Sequence, residues 1–291
     1  MLTYNRAPLR RTCCRKTQRL NGRTTPSIPG GDARRCLRAA NTATPKRLGK
    51  DFWGNRADRR ELSPAYWKQP FVWDAVAAAA GVRSRVFCAS MGDVFEDRRD
   101  LDDRRQQLWK VIEGTSHLDW LLLTKRPENI AKLAPWTTEW PENIWLGTTA
   151  ENQRWLDKRL PHLLAANAKV RFLSCEPLLG AVDLREWAKF AKINRQPFVH
   201  WVIGGGESGH GARPMSPEWT RSLRDQCVAL GIRFYFKQWG NWRPAVAEDR
   251  GTKKVLFLAD GNRITLVNVG KKDAGRLLDG QAWDEFPRER I

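Results

Sequence analysis

A chain of 291 residues, 41% apolar and with 15 Trp, is long enough to bury the core of one large α/β domain or two small ones. No apolar run reaches the length of a membrane span and no signal-peptide pattern opens the sequence, so neither a membrane partner nor a secretory leader is expected. Net charge is +19, but residues 1–50 hold 13 Lys and Arg against the single Asp32, so +12 of it sits there and +7 in the rest.

Residues 1–46 lack apolar periodicity and read as an irregular basic segment. From Lys46 onward the texture becomes that of a folded domain, in which strands and helices alternate. Val86 to Ala89 form an apolar run that ends in Ser90-Met91-Gly92-Asp93. Residues 101–115 carry Leu101, Leu108, Val111 and Ile112 at helical spacing. Trp120 to Leu123 end in Thr124-Lys125-Arg126-Pro127, and Ile144 to Leu146 end in Gly147 to Asn152. A helix is predicted over 153–167. Val170 to Leu173 end in Ser174-Cys175-Glu176-Pro177. Trp201 to Ile203 run into Gly204-Gly205-Gly206-Glu207-Ser208, where missing side chains let a ligand or another backbone come close. Ser216 as N-cap and Pro217 at the first position open a helix over 217–229. Phe234 to Phe236 end in Lys237-Gln238. Residues 253–270 read as a hairpin around Asp260-Gly261, and 272–279 as a short helix.

Short continuous apolar runs, each ending in polar or Gly/Pro residues, are the rhythm of a parallel sheet. Every strand end carries polar groups, whereas an open sheet concentrates them at one switch point. The fold class expected is therefore α/β, a partial TIM-like (β/α) barrel over 47–242. A small β extension over 243–291 follows it, and the irregular segment 1–46 precedes it.

Such a barrel gathers its site at the carboxyl ends of the strands. Glu176, Glu207 and Lys237 are the candidate catalytic residues. The two carboxylates match an acid/base pair of the kind used by barrel glycosidases. Candidate binding residues are Ser90, Asp93, Lys125 and Arg126 on the first strand ends, then Glu151 and Asn152. Gly204, Gly205, Gly206, Ser208 and Gln238 complete them. Lys125, Arg126 and Lys237 suit a phosphate or a carboxylate. The plainer reading of each charged residue is a salt bridge at the rim. His210 reads as a solvated loop residue. The six cysteines (Cys13, Cys14, Cys36, Cys88, Cys175, Cys227) form no CxxC pair or disulfide framework, which suits a reducing, cytoplasmic compartment. Cys88 and Cys175 read as packed thiols, and no metal site is assigned.

The motifs Ser90-Met91-Gly92-Asp93-Val94-Phe95, Leu123-Thr124-Lys125-Arg126-Pro127-Glu128 and Arg171-Phe172-Leu173-Ser174-Cys175-Glu176-Pro177 resemble the phage gp thirty-seven / gp sixty-eight family. Gly205-Gly206-Glu207-Ser208-Gly209 and Phe236-Lys237-Gln238-Trp239-Gly240 extend the resemblance, which covers about 46–287. The family in turn resembles radical S-adenosylmethionine enzymes and opens with a three-cysteine motif. The resemblance implies a [4Fe–4S] cluster held by those thiolates and S-adenosylmethionine as cofactor. It also implies that Val202-x-Gly204-x-x-Glu207 lies near the adenosyl group.

This chain departs from the family where the motif belongs. Codons allowed for Thr25 to Lys46, read from the third base of each, permit F-N-P-W-x-G-C-T-K-V-S-P-G-C-E-H-C-Y-A-E. Residues 1–45 therefore read as the family's opening in a shifted frame, with the lost cysteine codons straddling Asp32/Ala33, Ala39/Ala40 and Thr42/Ala43. The basic tail becomes an accident of frame rather than an arm placed to meet phosphates. The functional expectation is a phage or prophage protein of radical-enzyme descent that lacks its cluster and is inactive in that chemistry. A barrel hydrolase using Glu176 and Glu207, or a non-catalytic nucleic-acid binder relying on the basic tail, are the competing readings.

Overall fold

The computed structural model describes residues 3–5, 63–88, 92–194, 198–258 and 260–287, with the backbone alone at 3–5 and 190–194. Six strands run parallel: β2 (Ser84–Cys88), β3 (Leu118–Thr124), β4 (Ile144–Thr149), β5 (Val170–Cys175), β6 (Trp201–Gly205) and β7 (Arg233–Gln238). They lie in sequence order, so each pairs with the next one along the chain. This sheet curls into a half-barrel, as the run of strand ends predicts.

Helix α1 (Pro64–Ala79) precedes β2, and the crossovers carry α2 (Asp102–Glu113), the single turn α3 (Ile130–Leu133), α4 (Gln153–Leu164), α5 (Arg185–Asn194) and α6 (Pro217–Leu230). Against the expectation of an irregular segment over 1–46, Thr3–Asn5 form a strand, β1, antiparallel to β2 with Tyr4 opposite Val86. The rest of that segment lies outside the described residues, as does Ser90.

Strand residues alternate between two cores. The outward set, including Val86, Trp120, Leu122, Leu146, Leu173, Val202 and Phe234, meets Trp109 and Ile112 of α2, Leu156 and Leu160 of α4 and Leu223 of α6. The inward set, Leu121, Trp145, Phe172, Trp201 and Ile203, fills the concave side. Both faces are apolar, which is why the strands read as continuous apolar runs rather than alternating ones. Phe172 fits inside because Gly147 on the neighbouring strand has no side chain. A Cβ there would lie 2.4 Å from the Phe172 ring.

Trp242–Pro244 (β8), Thr252–Phe257 (β9) and Arg263–Asn268 (β10) make a small antiparallel sheet in the order β8-β10-β9. The hairpin expected around Asp260-Gly261 is thus present, and β8 joins it as a third strand. A short helix, α7 (Gly270–Ala274), follows. Ala274 and Leu278 return to the main core, and Trp283 packs against it.

The chain then runs along the free edge of β7. Phe236 N–H donates to the Trp283 carbonyl at 3.0 Å, and Glu285 N–H to the Phe234 carbonyl at 3.2 Å. Phe286 enters the concave side, its ring 5.0 Å from that of Trp201 and 4.1 Å from the Arg85 guanidinium. It plugs the end of the half-barrel where the strands begin.

Candidate active site at the carboxyl ends of the strands

Lys125 follows β3, Glu151 follows β4, Glu176 follows β5 and Lys237 is the last residue but one of β7. Parallel strands of matched register bring them to one mouth. The cores beneath are apolar, so charges that sit here must pair with one another.

Glu151 is the most enclosed. Its carboxylate takes a hydrogen bond from Lys125 Nζ and another from Arg159 Nη1 at 2.6 Å. Arg159 reaches it from α4 and also donates to Thr149 Oγ1 at 2.8 Å and the Thr149 carbonyl at 3.1 Å. The Arg159 guanidinium lies 4.1 Å from the Trp155 ring centroid. Burial alone would raise the Glu151 carboxyl, yet the Lys125 hydrogen bond and charge, with Arg159, hold it below its ordinary value. Glu151 is therefore ionised with a cation on either side.

Glu176 accepts from Lys237 Nζ at 3.1 Å. Its carboxylate lies over Gly205, where an added Cβ would meet Glu176 Oε1 at 2.5 Å. The peptide bond that follows, Glu176-Pro177, is cis. Leu178 N–H donates to the Gly205 carbonyl at 2.9 Å and Leu179 N–H to the Glu151 carbonyl at 2.7 Å, tying the loop after β5 across its neighbours.

The glycine run serves close packing of the chain on itself. Gly204 faces the helix layer, with Phe234 and Thr220 beside it. Gly206 lets β6 meet the end of β7: a Cβ would stand 2.0 Å from the Trp239 carbonyl oxygen. Gly240 is the reciprocal contact, 2.0 Å from the Glu207 carbonyl oxygen, at a left-handed φ of 83° that favours glycine. Gln238 Nε2 donates to the Gly206 carbonyl at 3.2 Å.

Other expected site residues are committed to structure. Asp93 accepts from Thr124 Oγ1 at 3.0 Å, from Lys125 N–H at 2.9 Å and from Arg126 Nη1 at 3.3 Å, so it fastens the loop after β2 to the end of β3. Asn152 caps α4, its side-chain oxygen accepting from Trp155 N–H at 3.2 Å. Ser216 stands at the N-cap position of α6 as expected, but its side chain makes no capping hydrogen bond. Glu207 is gripped by Arg213 in a two-pronged pair at 2.8 and 2.9 Å, and the Arg213 N–H adds a third bond at 2.8 Å. The Arg213 hydrogen bonds hold the Glu207 carboxyl below its ordinary value. Ser208 lies beside it on the partly open loop.

Two cations were not legible as site residues. Arg159 is one. Lys271, on α7, is the other: half-buried, and close enough to Lys237 and Glu176 to feel both charges. Burial and the neighbouring Lys237 lower its pKa, opposed by Glu176.

The described cysteines do not fit an iron–sulfur cluster. Cys88, Cys175 and Cys227 are buried in the outer core among apolar side chains. Burial pushes the Cys88 thiol up to about 12 and raises the other two, and they come from three separate elements, β2, β5 and α6, whereas a cubane cluster needs three thiolates converging on one point. Among the described residues no group of three His, Cys, Asp or Glu is placed to hold a metal. No helix among the described residues is long and apolar enough to cross a membrane.

A family model described as "Protein of unknown function (DUF5131)" matches residues 31–287. No curated protein and no solved structure gives a significant match.

Proposed function

The chain belongs to the DUF5131 family, and we propose that the mouth of its half-barrel is the family's active site, with this chain a member that keeps the mouth but lacks the chemistry. The observation that carries the reading is the convergence of Lys125, Glu151, Glu176 and Lys237 at the strand ends, two carboxylates each faced by an ammonium. Parallel barrels do their chemistry at that end. By resemblance, intact relatives are phage or prophage enzymes that use a [4Fe–4S] cluster and S-adenosylmethionine, the cluster supplying an electron to cleave the cofactor. The cysteines of such relatives come from the opening stretch, which is here replaced by the shifted frame of residues 1–45. The buried thiols of Cys88, Cys175 and Cys227 do not fit the cluster and offer no substitute. No step is therefore assigned to the cluster in this chain.

The reading is tested by anaerobic reconstitution with ferrous iron and sulfide. The chain as it stands is expected to take up no cluster. A chain with the frame restored, so that C-x6-C-x2-C replaces the stretch around 32–43, is expected to bind about four irons, the cubane stoichiometry. Cluster uptake by the unaltered chain, or none by the restored one, refutes the reading.

The hydrolase reading has less support. A general acid must be protonated at working pH, and Glu207 is held ionised by Arg213 with three of its acceptor positions filled. The nucleic-acid reading rests on residues 1–45, which lie outside the described residues apart from β1.

A further inference from the structure

Tryptophan is costly to leave in water, and this chain places its tryptophans accordingly. Every described tryptophan but one belongs to a core: against the helix layer, on the concave side, or in the small sheet. The exception among the described residues is Trp155. It stands in the first turn of α4, half-buried, and packs into none of the three cores.

What surrounds its ring is charge. The Arg159 guanidinium lies 4.1 Å from the ring centroid, the Lys158 ammonium 5.3 Å and the Arg154 guanidinium 5.8 Å. Residues three and four further along a helix share a face, so Lys158 and Arg159 reach the ring from the next turn, while Arg154 adjoins it in the chain. Arg159 is committed to Glu151. Arg154 and Lys158 are not committed: both are exposed, and among the described residues neither makes a hydrogen bond or an ion pair. The only acid of this turn, Asp157, is engaged with α5, where it accepts from Trp187 Nε1 at 3.0 Å, and with Gln153 Nε2 at 2.9 Å.

The patch stands at the rim of the mouth. One guanidinium, that of Arg159, meets both the Trp155 ring and, at 2.6 Å, the Glu151 carboxylate. Lys125 contacts that same carboxylate with its side chain 54% exposed. The Asn152 cap fixes the backbone beneath the ring, accepting from Trp155 N–H at 3.2 Å.

An open ring by itself suits any apolar group, and exposed cations suit any polyanion. An aromatic ring flanked by cations with no carboxylate partner suits a polymer that alternates bases and phosphates. Arg154 and Lys158 are about 6 Å apart along the helix axis, comparable to the spacing of successive phosphates on an extended strand. A duplex keeps its base faces inside the stack, so only an unpaired strand can offer one to the indole.

We propose that Trp155, Arg154 and Lys158 form a platform for single-stranded nucleic acid at the rim of the mouth, with a base stacked on the indole and the flanking phosphates on the two cations. The inference rests on the reading of the mouth as the active site and names the class of polymer presented to it. It makes no use of the basic segment 1–46.

The test uses the full chain and a fluorescein-labelled oligothymidylate of about twelve nucleotides, within the range such platforms cover, followed by fluorescence polarisation. Its duplex with oligoadenylate and an abasic strand of equal length are the comparisons. Both are expected to bind about tenfold or more weakly, having no free base to stack. Trp155→Ala is expected to weaken the oligothymidylate by about tenfold without changing the salt dependence, and Trp155→Phe to keep most of the affinity, since every base has a π-face and needs only a ring. Arg154→Gln and Lys158→Gln should each lower the slope of log affinity against log salt by about 0.7, one phosphate contact on a single strand. Loss of folding produces neither the Phe rescue nor that division between affinity and slope. Lys189→Gln, an exposed control on α5, should change nothing. Residues 1–50 carry 13 Lys and Arg and can hold a strand by charge alone, so the site is also read directly. A strand bearing 5-iodouracil is expected to photocrosslink to the peptide containing Trp155. Unchanged affinity in Trp155→Ala, equal binding of the abasic strand or of the duplex, or crosslinks confined to residues 1–46 overturns the inference. A frame-restored chain that builds its cluster but gives no crosslink at Trp155 also sinks it and leaves the family reading standing. A crosslink at Trp155, with no cluster in the restored chain, supports the platform and sinks the family reading.

Discussion

Arg159→Met removes the inner cation from Glu151 while keeping an unbranched, apolar side chain in place. Arg159 and Glu151 side chains are 8% and 11% exposed, so the pair is a buried one. Breaking a buried pair from one side costs about 3–5 kcal/mol, because a charge is left in a poorly solvated place. Lys125 remains on the same carboxylate, which argues for the lower end, about 3 kcal/mol. For a domain of this size each kcal/mol moves the midpoint by about 2–4 °C, so Tm should fall by ~6–12 °C. Thermal unfolding followed by circular dichroism reads it directly. Adding Glu151→Gln to Arg159→Met should recover part of the loss, since the stranded charge is then gone. The double-mutant cycle should show a coupling of about 2 kcal/mol. A midpoint within ~2 °C of the parent, or strict additivity, would refute the account of Arg159 as the buried counter-charge.

Two further outcomes follow from the same geometry. Gly206→Ala places a methyl 2.0 Å from the Trp239 carbonyl oxygen and 2.7 Å from its carbon, both backbone atoms. It should cost ~3 kcal/mol or more in urea unfolding, whereas Gly92→Ala, with nothing within 4 Å, should stay within about 0.5 kcal/mol. Glu151 is held below its ordinary value of 4.5, so its stabilisation is present above that pH and is lost as pH falls through the folded-state value. Glu151→Gln should therefore be less stable than the parent at pH 7 and converge on it toward acid. A constant difference between the two down to about pH 2 would contradict this.

The strands were legible because their physics is local. A strand buried on both faces must be apolar throughout, and the point where Trp120 to Leu123 gives way to Thr124-Lys125 marks where it meets water. The mouth was legible for the same reason, since Lys125, Glu151, Glu176 and Lys237 each follow an apolar run. Roles within it were less so. Sequence position does not distinguish Glu176, over Gly205 and facing Lys237, from Glu207, turned onto Arg213. Asp93 and Asn152 look like ligand-binding residues and are fasteners of loop and helix. Arg159 left one usable trace: it interrupts the apolar stripe of Leu156, Leu160 and Leu163 on α4, where a cation needs a buried partner. Lys271 left none, because its approach to Glu176 depends on how the extension folds back. Helix α1 was also silent, with apolar residues on all sides and Pro70 within it. Thr3–Asn5 show nothing in their composition that predicts pairing with β2, since three residues take their register from the partner.

The two borders of the half-barrel are covered by segments remote in sequence, β1 along β2 and residues 283–286 along β7. A growing polypeptide therefore completes all six parallel strands before the segment that shields β7 has been made. For that interval, an unpaired row of amides and carbonyls is displayed to any other nascent copy. A molecule cut ahead of Trp283 would hold that state permanently, with Trp201 and Arg85 uncovered on the concave side as well. Shortening this protein from its carboxyl end is thus a route to insolubility even though the strands, the helices and the mouth would all still be encoded.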